Sequence, residues 1–206
     1  VENLQSTSPE WERLIKRGYV KKALAMREER HFFHWELEFP EVFFGPRPGT
    51  MRHIERLEGE GFDAVIGNPP YVRVQELRQS DAATADYLGA CYASAQKNFD
   101  LYLPFFELGW TITKGKVAYI APNKWFATDY GSGLRQFVAQ RRALERVVDF
   151  RDYQLFEDAT NYPAIVFLSG APSDSHVFVD ASSGEIGPGQ LSANERMAAD
   201  GRVWHF

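Results

Sequence analysis

The chain has 206 residues, 44% of them apolar and 25% charged, the balance of an ordinary soluble globular protein with room for one sizeable domain. No apolar run reaches membrane-span length, and the opening Val1-Glu2-Asn3-Leu4-Gln5 lacks the basic-then-apolar layout of a secretory signal. A net charge of −5 does not advertise nucleic-acid binding, and the single Cys91 excludes an internal disulfide and a cysteine-rich zinc site; a cytoplasmic setting without a metal is expected.

Residues 8–30 read as one surface helix. Ser8 suits the N-cap, Pro9 the first turn, and Glu10 and Glu12 the positive end of the helix dipole. Its bases Arg13, Lys16, Arg17, Lys21 and Lys22 form a solvated face. An aromatic-dense stretch follows, in which Trp35–Phe39 alternates apolar and acidic residues as a half-buried strand does. Residues 45–50, rich in Gly and Pro, are a loop.

From Phe62 the pattern becomes α/β. Phe62–Ile66 is a short apolar strand ending in Gly67-Asn68-Pro69-Pro70. Residues 81–97 and 100–114 read as helices, Lys116–Ala121 as a strand, Gly133–Arg142 as a helix, and Glu145–Phe150 and Ala164–Leu168 as strands. Alternating strand and helix implies a mainly parallel sheet. No helix-length segment separates the last two strands, so they are expected to pair antiparallel as a late hairpin. The expected organisation is a lead-in segment over 1–50, a catalytic part over 51–170, and a peripheral region or start of a further domain over 171–206.

The strongest chemical signal is Phe62-Asp63-Ala64-Val65-Ile66-Gly67-Asn68-Pro69-Pro70-Tyr71, an apolar strand that runs straight into a rigid polar turn. Ligands of open α/β sheets bind beyond the carboxyl ends of strands. Two prolines fix the backbone there and remove two N–H donors. What remains is rich in acceptors: the Asn68 side-chain oxygen and the backbone carbonyls. Such an array suits a planar group that donates two N–H bonds, an exocyclic amine, and Tyr71 offers an aromatic face beside it.

These residues resemble the gamma-class amino-methyltransferases, and more narrowly the large methyltransferases of type IIG restriction–modification and phage-exclusion systems. Further segments are similar in the same order: Phe33–Phe43, Asn98-Phe99-Asp100-Leu101-Tyr102, Gly115–Trp125, Asp149–Phe156 and Tyr162–Phe167. The likeness spans roughly residues 31–170.

The resemblance implies a partial Rossmann-like, S-adenosylmethionine-dependent methyltransferase fold. It also implies methyl transfer from S-adenosylmethionine to the N6 amino group of an adenine flipped out of double-stranded DNA. Asn68 and the Pro69 carbonyl would accept bonds from that amino group, Pro70 would stiffen the turn, Tyr71 would stack on the base, and Phe156 would pack against it as a second aromatic. Acceptors on both amino hydrogens localise the nitrogen lone pair for attack on the methyl. The family's cofactor motif is a glycine-rich loop ahead of the Asn-Pro-Pro-Tyr turn, and residues 1–61 hold no version of it. Gly131-Ser132-Gly133 with Asp149 mimics one but follows its strand too distantly. The cofactor-binding residues are therefore unassigned. The chain is expected to be a fragment, inactive alone, of a longer polypeptide that supplies the cofactor-binding and target-recognition parts. Two other readings stay open: a protein-glutamine N5 methyltransferase, whose substrate amide also presents an NH2, and a catalytically incomplete DNA-binding fragment.

Overall fold

The computed structural model describes residues 9–46, 49, 54–156, 162–186, 195–197 and 202–204. Packing divides the chain into two units, Val1–Glu60 and Gly61–Phe206. The first contains helices α1 (Pro9–Leu14), α2 (Gly18–Arg30), α3 (Trp35–Glu38) and α4 (Pro40–Phe43). Strands β1 (Phe44–Pro46) and β2 (Ile54–Arg56) then pair antiparallel.

Two expectations fail in this unit. The helix expected over 8–30 is broken, because Arg17 is extended (φ −73°, ψ 138°) and caps a fresh start at Gly18; Ser8 lies outside the described residues. The strand expected over Trp35–Phe39 is helical. Five alternating residues also place Trp35 and Phe39 four apart on a helix, and their rings stack at 6.2 Å and 21°. Pro40 then opens α4 with its preset φ.

The second unit is a mixed α/β structure around six strands: β3 (Phe62–Gly67), β4 (Thr113–Pro122), β5 (Leu144–Asp149), β6 (Pro163–Ser169), β7 (Ser175–Asp180) and β8 (Glu195–Met197), ordered β3-β4-β6-β5-β7-β8. β4 is parallel to β3 and β5 is parallel to β7, while β6 runs antiparallel to both β4 and β5. Four strands therefore share one direction, as a mainly parallel sheet requires, and the late β5/β6 pair is antiparallel as expected. The sequence did not foretell that β6 inserts between β4 and β5, in continuous register with β4 from Lys116↔Ser169 to Pro122↔Pro163.

The strand period of two places Ala164, Val166 and Leu168 of β6 in the larger core, while Ile165 and Phe167 pack on a second cluster with Val148, Phe150 and Val179. The helix expected over 81–97 forms as α6 (Ala82–Cys91), shorter at its C-terminal end, and α5 (Val74–Ser80) precedes it. Asp81 divides them and caps α6 by accepting the Thr84 N–H at 3.1 Å. Helices α7 (Tyr102–Thr111) and α8 (Ser132–Arg141) contribute Tyr102, Phe106, Leu134, Phe137 and Val138 to the larger core. Gly115 permits the close approach of β4 to β3: a Cβ there would lie 1.9 Å from the Asp63 carbonyl oxygen.

Packing does not change at residue 170. β7 is an internal strand, and buried Trp204 packs edge-on to Trp125 at 4.9 Å and donates its backbone N–H to the Phe126 carbonyl at 2.9 Å. Among the described residues, no helix is long and apolar enough to cross a membrane.

Candidate functional site

The Asn68-Pro69-Pro70-Tyr71 turn leaves the carboxyl end of β3, where the sheet order and the open-sheet rule put ligands. Pro69 is buried, and Asn68 and Pro70 are exposed. The Asn68 carboxamide makes no hydrogen bond to any described residue, so its oxygen stays available as an acceptor. Tyr71 is half-buried against the larger core. Its hydroxyl donates to the Ile120 carbonyl of β4 at 3.2 Å, and its ring meets Tyr102 edge-on at 6.2 Å. Burial pushes its phenol above the ordinary tyrosine range.

The chain after Tyr71 is fixed by backbone pairing. Leu101 donates its N–H to the Val72 carbonyl at 2.8 Å, Val74 donates to the Phe99 carbonyl at 3.0 Å, and Arg73 bridges Asp100. The Asn98–Tyr102 segment singled out in the sequence thus lies directly beside the turn. Between them opens a cleft of about 570 Å³ lined by Tyr71, Arg73, Asn98, Asp100, Lys124 and Tyr130, among others. The Asp100 carboxyl is held above the usual range by burial, an effect partly offset by the Tyr102 phenol and Arg73. The hydroxyl of Tyr130, which lines the cleft, lies 3.0 Å from that of Tyr102, and burial raises both phenols.

Sequence reasoning singled out none of Arg73, Asp100, Lys124 or Tyr130 as functional. A signal was present for two: Asp100 and Lys124 lie inside segments already matched to the family. Their convergence needed the sheet, because Arg73 and Lys124 are 51 residues apart in the sequence.

Phe156 is exposed, at 42%, and does not line the cleft. It ends the turn after β5, and residues 157–161 lie outside the described ones. The base of that turn is well fixed. Buried Asp149 accepts from Asn123 Nδ2 at 2.9 Å and from the Arg151 backbone N–H at 3.0 Å, with Arg151 Nε at 3.6 Å from its other oxygen. Asn123 also donates its backbone N–H to the Tyr162 carbonyl at 2.8 Å. One carboxylate therefore ties the loop after β4 to the turn that carries Phe156.

The family profile described as Eco57I restriction-modification methylase matches residues 2–156. The chain is 32% identical over 121 residues to the type II restriction enzyme and methyltransferase RM.Eco57I of Escherichia coli, covering 58% of this chain and 12% of that protein. It is 37% identical over 116 residues to the type II methyltransferase M.PaeR7I of Pseudomonas aeruginosa, covering 55% of this chain and 20% of the relative. The chain thus spans a fifth or less of the length of these two. Among solved structures it is similar to a type I restriction-modification methyltransferase subunit from Streptococcus thermophilus, at 16% identity and a TM-score of 0.45, over 70% of this chain and 30% of the other.

The cofactor of such methylases is S-adenosylmethionine. The residues of this chain that mimic its glycine-rich cradle do not fit it. A Cβ on Gly131 would lie 2.1 Å from the Trp125 carbonyl oxygen, and one on Gly133 would lie 2.5 Å from the Ala93 carbonyl oxygen. Both glycines are filled from within by backbone, and Asp149 spends its oxygens on Asn123 and Arg151. The profile match over more than half of its length places the chain in the Eco57I restriction-modification methylase family.

Proposed function

We propose that this chain supplies the base-binding part of a longer enzyme that transfers a methyl group from S-adenosylmethionine to the N6 amino group of an adenine flipped out of double-stranded DNA. The observation that carries the reading is Asn68: an exposed carboxamide with no hydrogen-bond partner among the described residues, at the carboxyl end of β3, next to two prolines that have no N–H to donate to it. Asn68 Oδ1 and the Pro69 carbonyl would hold the two amino hydrogens and localise the nitrogen lone pair. Tyr71 would present its face to the ring. S-adenosylmethionine, when bound, supplies the electrophilic methyl.

The rest of the longer polypeptide would supply the cofactor site and the target-recognition part, and the 206-residue chain alone is inactive in this reading. β3 supports it: it is an edge strand of the described sheet, paired only to β4, and its Ile66 is 81% exposed. Such an edge invites further strands.

Asn68→Ala in the full-length enzyme removes one preorganised polar interaction with the reacting nitrogen and should slow single-turnover methylation by at least ~100-fold while leaving the fold intact. A rate within tenfold of wild type, or gross unfolding, contradicts the assignment.

A further inference from the structure

The cleft beside Tyr71 carries charge that the acceptor turn does not use. Arg73 and Lys124 both line it, and both are exposed. Several other cations of this unit lie against carboxylates: Lys97 with Asp129 at 3.3 Å, Lys116 with Glu145 at 2.8 Å, and Arg151 with Asp149 and Asp180 at 3.6 Å each. Arg73 and Lys124 differ. Neither forms an ion pair with a described residue, although Asp100 and Glu76 line the same cleft. Both stay within electrostatic reach of Asp100 without closing on it.

Their backbones are rigid. Arg73 is held in a bridge to Asp100. The Lys124 carbonyl accepts from the backbone N–H groups of Ala127 and Thr128 and from the Thr128 hydroxyl at 2.9 Å. Buried Arg135 locks the same turn by donating to the Trp125 and Thr128 carbonyls at 2.6 and 2.8 Å. Two cations thus stand on fixed supports with only their stems free.

We infer that Arg73 and Lys124 form a DNA phosphate site that holds the phosphodiester flanking the target nucleotide. This rests on the DNA reading above. Extrusion rotates a nucleotide about its own backbone, so a base held at Tyr71 keeps its flanking phosphates beside the pocket. A chain of net charge −5 repels DNA at long range, and local unpaired cations must overcome that where the backbone arrives.

The test is the salt dependence of duplex binding by the full-length enzyme, on target and non-target sequences. Arg73→Gln and Lys124→Gln should each weaken binding alike on both duplexes and lower the magnitude of the log K against log salt slope by about 0.9 for each phosphate no longer neutralised. Lys97→Gln, outside the cleft, should leave the slope unchanged. Asp100→Asn should tighten binding, because it removes a negative charge beside both cations.

Wild-type slopes in both cleft variants overturn the inference while leaving the DNA reading intact. Weaker binding by Asp100→Asn overturns it too, since the cleft then takes a hydrogen-bond donor. Saturable competition by inorganic phosphate at matched ionic strength would assign the pair to a free phosphate-bearing ligand instead. A wild-type enzyme that shows no salt-dependent DNA binding refutes the DNA reading itself.

Discussion

Replacing Tyr71 by phenylalanine and by alanine separates the work of its hydroxyl from that of its ring. The hydroxyl bonds the Ile120 carbonyl at 3.2 Å, long for an O–H donor, from a half-buried position. Its loss in Tyr71→Phe should cost about 0.5–1 kcal/mol of stability, the low part of the range for one intramolecular hydrogen bond. Methylation should change less than threefold on the order-of-magnitude scale of that bond, because the π-face survives. Tyr71→Ala removes the ring as well. A fully buried aromatic truncated to alanine costs about 3–5 kcal/mol, so a half-buried one should cost roughly half of that. The lost stacking adds about 1–3 kcal/mol to the barrier for presenting the base, which slows the reaction by roughly 5- to 150-fold. Chemical denaturation reads the first quantity, and single-turnover methylation of duplex DNA by the full-length enzyme reads the second. A methylation defect in Tyr71→Phe as deep as that in Tyr71→Ala would refute the stacking role. A stability loss in Tyr71→Ala with an unchanged rate would make Tyr71 a core residue only.

Phe156→Ala should lower the fluorescence gain of a duplex carrying 2-aminopurine at the target position, and a mismatched target should partly rescue its methylation rate; unchanged rate and affinity on both duplexes would remove Phe156 from the site. Gly131→Ala should destabilise the fold by about 1–3 kcal/mol in a denaturant titration, because its Cβ would meet the Trp125 carbonyl oxygen at 2.1 Å. Calorimetry on the 206-residue chain should show weak or no binding of S-adenosylmethionine, since the cradle-like glycines are filled by backbone; low-micromolar affinity would reopen the Gly131 region.

The strand-and-turn core of the site was legible because its signals are local. Phe62–Ile66 is mostly apolar and is followed by Gly67-Asn68 and two prolines, so the strand end and the rigid turn follow from adjacent residues. β4, α8 and the β5/β6 pair were legible for the same reason, from short apolar runs bounded by Gly, Pro or charge. The aromatic stretch was misread because Trp35-Glu36-Leu37-Glu38-Phe39 is too short to separate a period of two from a stack at i, i+4. β7 was missed because Ser175–Asp180 sits in a Ser-, Asp- and Pro-rich tract, and only its burial beside β5 reveals His176, Phe178 and Val179 as interior. The Arg73–Lys124 cleft is non-local: the parallel pairing of β3 with β4 and the pairing of Val72–Val74 with Phe99–Leu101 create it, and neither has a signature within one segment.

The most direct test of the central claim is the identity of the methylated product. The full-length enzyme is incubated with isotopically labelled S-adenosylmethionine and duplex DNA, and the DNA is digested to nucleosides and resolved by mass spectrometry, beside a parallel reaction on a glutamine-containing peptide. The account predicts label in N6-methyladenine, absent from the peptide and lost with Asn68→Ala. Label in the peptide glutamine, or in DNA at any nucleoside other than N6-methyladenine, would contradict it.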